Sequence, residues 1–177
     1  MISSVPVMLI TGPIGVGKTT IAAEVSELLD QAQVAHGLVD VDCLRWCYPR
    51  PSHDPFRVEL AMKNLAAIWS NFQDVGATHL VLADVLESRS HLERYQRAIP
   101  AAKILVVRLH ASLPTIMSRV QRREVGSGLD RHLRRASELA AHMEQNKVED
   151  MLVDTEGRSV ATVAHEVLTR STWMIVS

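Results

Sequence analysis

Residues 12–19 read G-x-x-x-x-G-K-T and follow directly on the apolar run Val7, Met8, Leu9, Ile10. That juxtaposition asks for a buried strand, a tight glycine-rich turn and then a helix. Gly12, Gly15 and Gly17 let backbone N–H groups turn inward. With Pro13, Ile14 and Val16 between them they form a cradle for a polyphosphate. Lys18 has the reach for its outer phosphates, and the Thr19 hydroxyl suits Mg²⁺. Thr20 opens a helix, 20–31, whose positive dipole end faces the same anion.

Beyond this loop, short strand-like apolar runs alternate with longer helical ones. Strands are expected at 7–11, 37–41, 79–83, 104–109 and 151–153. Helices are expected at 18–31, 57–75, 89–98, 113–123, 131–146 and 159–169. Alternation of this kind predicts an α/β fold with a parallel sheet covered by helices on both faces. Ligands of such sheets bind beyond the carboxyl ends of the strands. The 177 residues fit one domain, 1–177, and 47% hydrophobic content is enough for a sizeable core. A formal charge of −1 gives no basic excess for nucleic acid. No segment reads as a signal peptide or a membrane span. Cys43 and Cys47 are the only cysteines and fit a reducing compartment, so the expected location is cytoplasmic. Their spacing would allow a metal or redox role, but packing explains them as well. Two stretches break the pattern: a proline-rich one at 48–55 and a Gly/Ser-rich one at 124–130. The tail, 172–176, reads as a last strand or a packed end.

Acidic and basic residues follow several strands. Asp40, Asp42 and Arg45 come after the second strand, beside the expected phosphate pocket. Phosphorylation of a hydroxyl needs a carboxylate to orient the nucleophile or accept its proton, and a cation to hold a polar or anionic acceptor. Asp42 suits the first role and Arg45 the second, with Asp40 beside them. A helix cap at Asp42 and a surface ion pair at Arg45 are the plainer alternatives. Asp84 ends the run Leu80, Val81, Leu82, Ala83 in the manner of a metal-linked acid, a role for which Asp42 competes. Glu87 and Arg89 follow and could face the same cleft. Arg119 and Arg123 share a helix face before the Gly/Ser-rich stretch, which suits a lid over about 119–135 that screens phosphate charge. A solvated basic helix end is the alternative. The acceptor side is expected at about 45–57, where Trp46, Tyr48 and Phe56 either shape a pocket or anchor the loop. His53 could also touch an acceptor. The stretch after the last strand, from Asp154, is expected near the nucleotide base. Trp69 and Phe72 read as core.

Assembled in this order, the chain resembles the small P-loop kinases: gluconate, adenylylsulfate and shikimate kinases and chloramphenicol phosphotransferase. Asp40, Asp42 and Arg45 resemble the D-G-D-x-x-R segment of adenylylsulfate kinases. Phe72, Gln73, Asp74, Val75 and Gly76 resemble the helix end before their third strand. Arg119 and Arg123 resemble the arginine pair that introduces the lid of gluconate and nucleoside monophosphate kinases, and Asp154-Thr155 resembles the D-T/S segment after the last strand. The resemblance implies a three-layer sandwich with a five-stranded parallel sheet in order 2-3-1-4-5, a short lid, MgATP as donor, and a small-molecule phosphoryl acceptor. It does not name that acceptor: Val41 replaces the central glycine of D-G-D, and Asp84 leads into Val85-Leu86-Glu87 rather than the D-G-F-P-R run of adenylate kinases. The expected activity is ATP-dependent phosphorylation of a small-molecule hydroxyl. A nucleoside or nucleotide kinase and a nucleotide-dependent switch are the alternatives.

Overall fold

The computed structural model describes residues 4–123 and 129–173, with the Arg123 side chain excluded. Five parallel strands, β1 (Val5–Thr11), β2 (His36–Asp40), β3 (His79–Ala83), β4 (Ala102–His110) and β5 (Met151–Asp154), form one sheet in the order β2-β3-β1-β4-β5. The helices are α1 (Lys18–Gln31), α2 (Val58–Asp74), α3 (Leu92–Ala98), α4 (Leu113–Arg123), α5 (Leu129–Asn146) and α6 (Val160–Ser171). Two short 3₁₀ turns, Val41–Arg45 and Arg89–His91, complete the description. The second of them splits the helix expected over 89–98.

The period-two alternation of β1 assigns the two faces. Met8 and Ile10 pack with Val25 and Leu29 of α1 and Val167 and Leu168 of α6. Val7 and Leu9 point the other way, to Leu65 and Trp69 of α2 and Tyr95 of α3. Each fully buried aliphatic side chain of this kind contributes about 1.5–3 kcal/mol. Helix α2 sits close on β2 because Gly37 leaves room for the Phe72 ring; a Cβ there would lie 2.2 Å from it. Trp69 is buried and Phe72 partly so, as expected. The lid stretch 124–128 and the tail 174–177 lie outside the described residues. Trp173 meets the His79 ring edge-on at 5.0 Å. No helix among the described residues is long and apolar enough to cross a membrane.

Candidate active site

Strand order carries the chemistry to one edge. In register, Asp40 of β2 lies beside Ala83 of β3, and Ala83 beside Ile10 of β1. The three chain segments that leave these positions run side by side. They are the 3₁₀ turn with Asp42 and Arg45, the segment opening with Asp84, and the glycine-rich loop. Two bonds tie the last two together: Asp84 N–H donates to the Ile10 carbonyl at 3.2 Å, and Leu86 N–H to the buried Thr11 hydroxyl at 2.8 Å. A cleft of about 120 Å³ opens at this edge, lined by Gly15, Gly17, Lys18, Thr19, Thr20 and Asp42. Lys18 Nζ donates to the carbonyls of Gly12 and Pro13 at 3.1 and 3.3 Å. Gly15 is required twice over. Its φ is +87°, and a Cβ would come within 2.5 Å of Val120 Cγ2 and 3.0 Å of the Ile116 carbonyl, because α4 packs directly on the loop.

Asp40 has two tasks. Its Oδ1 accepts the Asp42 N–H at 3.0 Å and so caps the 3₁₀ turn, and its Oδ2 accepts the Thr19 hydroxyl at 2.7 Å. The cap is therefore Asp40, not Asp42. Asp42 is left half-exposed at the cleft. Loss of water, then the neighbouring Asp84, push its carboxyl above the usual range; Arg45 and Lys18 pull it down.

Asp84, expected to help position the metal, is placed differently. It is fully buried. One oxygen accepts Arg45 Nη2 at 2.8 Å and Val85 N–H at 2.8 Å; the other accepts Arg45 Nη2 at 3.0 Å and the Tyr95 hydroxyl. In this structure both carboxylate oxygens are therefore engaged by protein donors. The carboxylate beside Thr19 is Asp40. Arg45 is correspondingly no surface ion pair, since its partner lies in the core; its Nη1 stands 3.8 Å from Asp42. Burial, then Asp84, hold the Tyr95 phenol far above its ordinary range. Tyr95 escaped the sequence reading because it shares an apolar helix stripe with Leu92 and Ala98, which reads as plain core.

Arg119, expected to screen phosphate charge, is held here between the glycine-rich loop and the segment after β5. Its Nη1 donates to the Val16 carbonyl and the Thr155 hydroxyl, both at 3.1 Å, and its Nη2 to the Thr155 carbonyl at 3.3 Å. It thereby walls a second cavity of about 310 Å³, lined also by Val16, Ile21, Thr155, Arg158 and Val163. This volume suits a nucleoside. The sequence placed the stretch after β5 near the base but gave no individual side chain. The Arg123 side chain, its expected companion, is outside the described residues. Glu87 and Arg89 are turned to other partners, Arg135 and Asp150. In the stretch expected to face an acceptor, Trp46, Tyr48 and Phe56 are 85%, 93% and 77% exposed. The loop is held instead by Asp54, which accepts the N–H groups of Val58, Glu59 and Leu60 at 2.7, 2.8 and 3.2 Å. His53 faces Glu59.

A parallel sheet of this order, with a glycine-rich loop after its central strand and a nucleoside-sized cavity beside it, defines a P-loop nucleotide-binding fold. The chain belongs to the AAA domain family, whose model it matches over residues 8–151. No significant match is found among curated proteins. Solved structures that share its fold include the following. A gluconokinase from Sinorhizobium meliloti 1021 is 19% identical, with a TM-score of 0.63 over 93% of this chain and 90% of that one. A tunicamycin resistance protein from Deinococcus radiodurans is 18% identical, TM-score 0.67, over 97% and 98%. A shikimate kinase from Acinetobacter baumannii is 13% identical, TM-score 0.60, over 99% and 97%.

Proposed function

We propose that the chain is an ATP-dependent phosphotransferase that moves the γ-phosphoryl group to a hydroxyl of a small molecule. The observation that carries this reading is the presence of Asp42 in the same cleft as Lys18 and Thr19. With Asp40 already beside Thr19 on the metal side, Asp42 is a second carboxylate in the cleft, placed to meet an acceptor hydroxyl. Backbone N–H groups of residues 14–20 hold the phosphates, Lys18 balances their charge, and Arg119 with Thr155 bounds the nucleoside. The Thr19 hydroxyl and Asp40 carboxylate, hard oxygen donors joined at 2.7 Å, fit Mg²⁺, which would neutralise phosphate charge when bound. Asp42 orients the acceptor hydroxyl. As the new O–P bond forms and the bond to ADP breaks, the hydroxyl proton passes to an Asp42 oxygen and ADP leaves with the electron pair. Positioning and charge stabilisation supply most of the rate. The two free cysteines fit a reducing, cytoplasmic setting.

ADP release with Mg²⁺ and ATP across sugars, sugar acids, nucleosides, nucleoside monophosphates and antibiotics tests this reading. An acceptor-dependent rate that falls about 10²-fold or more in Lys18→Ala is the expected result. Tight ATP binding with no acceptor-dependent turnover across the panel overturns it in favour of a switch.

A further inference from the structure

Beyond the end of β4, the start of α4 and the later turns of α5 leave an open cavity of about 330 Å³ that no step of the proposed reaction uses. Its walls are mainly apolar, with Leu109, Leu113, Ile116 and Ala140 among them. One guanidinium enters this setting. Arg108 of β4 borders the cavity, and its side chain is only 3% exposed. Its burial is tolerated because two carboxylates face it. Nε donates to Glu149 at 2.8 Å, and Nη2 to Glu149 and Glu144 at 2.9 and 3.1 Å. Nη1 makes no hydrogen bond with any described residue. It is nonetheless not sealed off, and the space that Arg108 borders is this cavity. A donor held in so apolar a recess gains most from an acceptor atom that arrives on an apolar body. The charges select further. Two glutamates share one guanidinium, and Glu144 itself lines the cavity, so an entering carboxylate meets a like charge. His110, the other titratable group lining it, faces Asp154 at 3.6 Å.

The segment from His110 to Ser112 is a wall with two sides. One side lines this cavity. The other holds the stretch after β5: the His110 carbonyl accepts the Thr155 N–H and hydroxyl at 2.8 and 3.0 Å, and the Ser112 N–H donates to Glu156 at 2.8 Å. Thr155 lines the nucleoside-sized cavity with Arg119. Pro13 of the glycine-rich loop also borders the new cavity.

We propose that this cavity is an effector site for a small, mainly apolar, uncharged molecule that presents one acceptor oxygen to Arg108, and that bound nucleotide feels its occupancy through the 110–112 wall and Pro13. The site lies apart from the cleft with Lys18 and Asp42, so it does not rest on the phosphotransferase reading.

Three ring compounds of similar shape separate the contributions. Acetophenone carries a neutral acceptor oxygen, ethylbenzene carries none, and benzoate is an anion. Each is titrated into the full chain, and NMR follows ring-to-methyl contacts at Leu113 and Ile116. Acetophenone should give saturable contacts there, with an affinity about tenfold or more above that of either other compound. No saturable contact from acetophenone, or equally tight binding of ethylbenzene or benzoate, overturns the proposal, and that measurement needs no variant. Ala140→Leu, which fills the cavity, should abolish the contacts while the melting temperature stays close to that of the wild type. Contacts that persist in the folded variant overturn the assignment to this cavity. A second arm reads the effector role. Saturating acetophenone should change the Kd of a non-hydrolysable ATP analogue with Mg²⁺ by about threefold or more in the wild type and not in Ala140→Leu. An unchanged Kd in the wild type overturns that role.

Discussion

Asp42 and Asp54 lie in the same segment beyond β2, and their surroundings push them in opposite directions. For Asp42, burial and then Asp84 raise the carboxyl. Its ionised form is disfavoured by folding, so its contribution to stability is full below the unfolded-chain pKa and is lost as pH rises through the raised folded value. The proposed role requires that ionised form. The acid limb of kcat/KM against pH should therefore lie above the usual aspartate range. Asp42→Asn should cost about 10²-fold or more in kcat while leaving the thermal midpoint at neutral pH unchanged or slightly raised. For Asp54, burial would raise the carboxyl, but three backbone N–H bonds at the start of α2 outweigh it and hold it low. The stabilisation is present above the unfolded-chain pKa and is lost as pH falls through the depressed one. Asp54→Ala should lower the melting temperature by several degrees at neutral pH, and this deficit should vanish in acid. At Thr19 and Asp40, Thr19→Val and Asp40→Asn should each raise the Mg²⁺ concentration needed for half-maximal ADP release, whereas a conservative change at the exposed Thr20, such as Thr20→Ser, should not.

Among the elements, the junction of α4 with the glycine-rich loop is the tightest. Gly15→Ala forces a methyl against Val120 and the Ile116 carbonyl at a positive φ. Overpacking of this kind costs about 1–3 kcal/mol, readable in urea unfolding. Adding Val120→Ala should restore part of the stability and not all, because the backbone strain and the carbonyl contact persist. The same scale shows what could be read from residues alone. Strand β3 and helices α1 and α4 fall where the apolar periodicity puts them; α3 starts three residues late, after the 3₁₀ turn, and the remaining ends differ by a residue or two. These elements are legible because each carries one uninterrupted period. The 3₁₀ turn after β2 was invisible, because its cap bond depends on Asp40 facing its own turn. The glycine-rich loop was legible because its chemistry is local. The Arg45–Asp84–Tyr95 clamp was not, since its members meet only after β2, β3 and α3 assemble. Its strongest clue, an acid ending an apolar strand, has the same appearance whether the acid holds a metal or an arginine.

At the scale of the molecule, one sheet with two apolar faces leaves no seam along which the chain would come apart in stages. We expect residues 1–177 to unfold as one domain, in a single thermal transition. Saturation with MgATP at about 100 times its Kd should stabilise it by about 2.7 kcal/mol. Lys18→Ala should lose most of that gain while keeping the single transition. The proline-rich loop after the 3₁₀ turn stands outside this unity. It hangs between Arg45, clamped into the core, and Asp54, which closes the start of α2, and its aromatic side chains, Trp46 and Tyr48, are exposed. Between two such fixed posts its content can be rewritten by mutation at little cost to the rest of the protein. On the phosphotransferase reading, a fold anchored this way can change its acceptor over evolutionary time without renegotiating how it holds the donor.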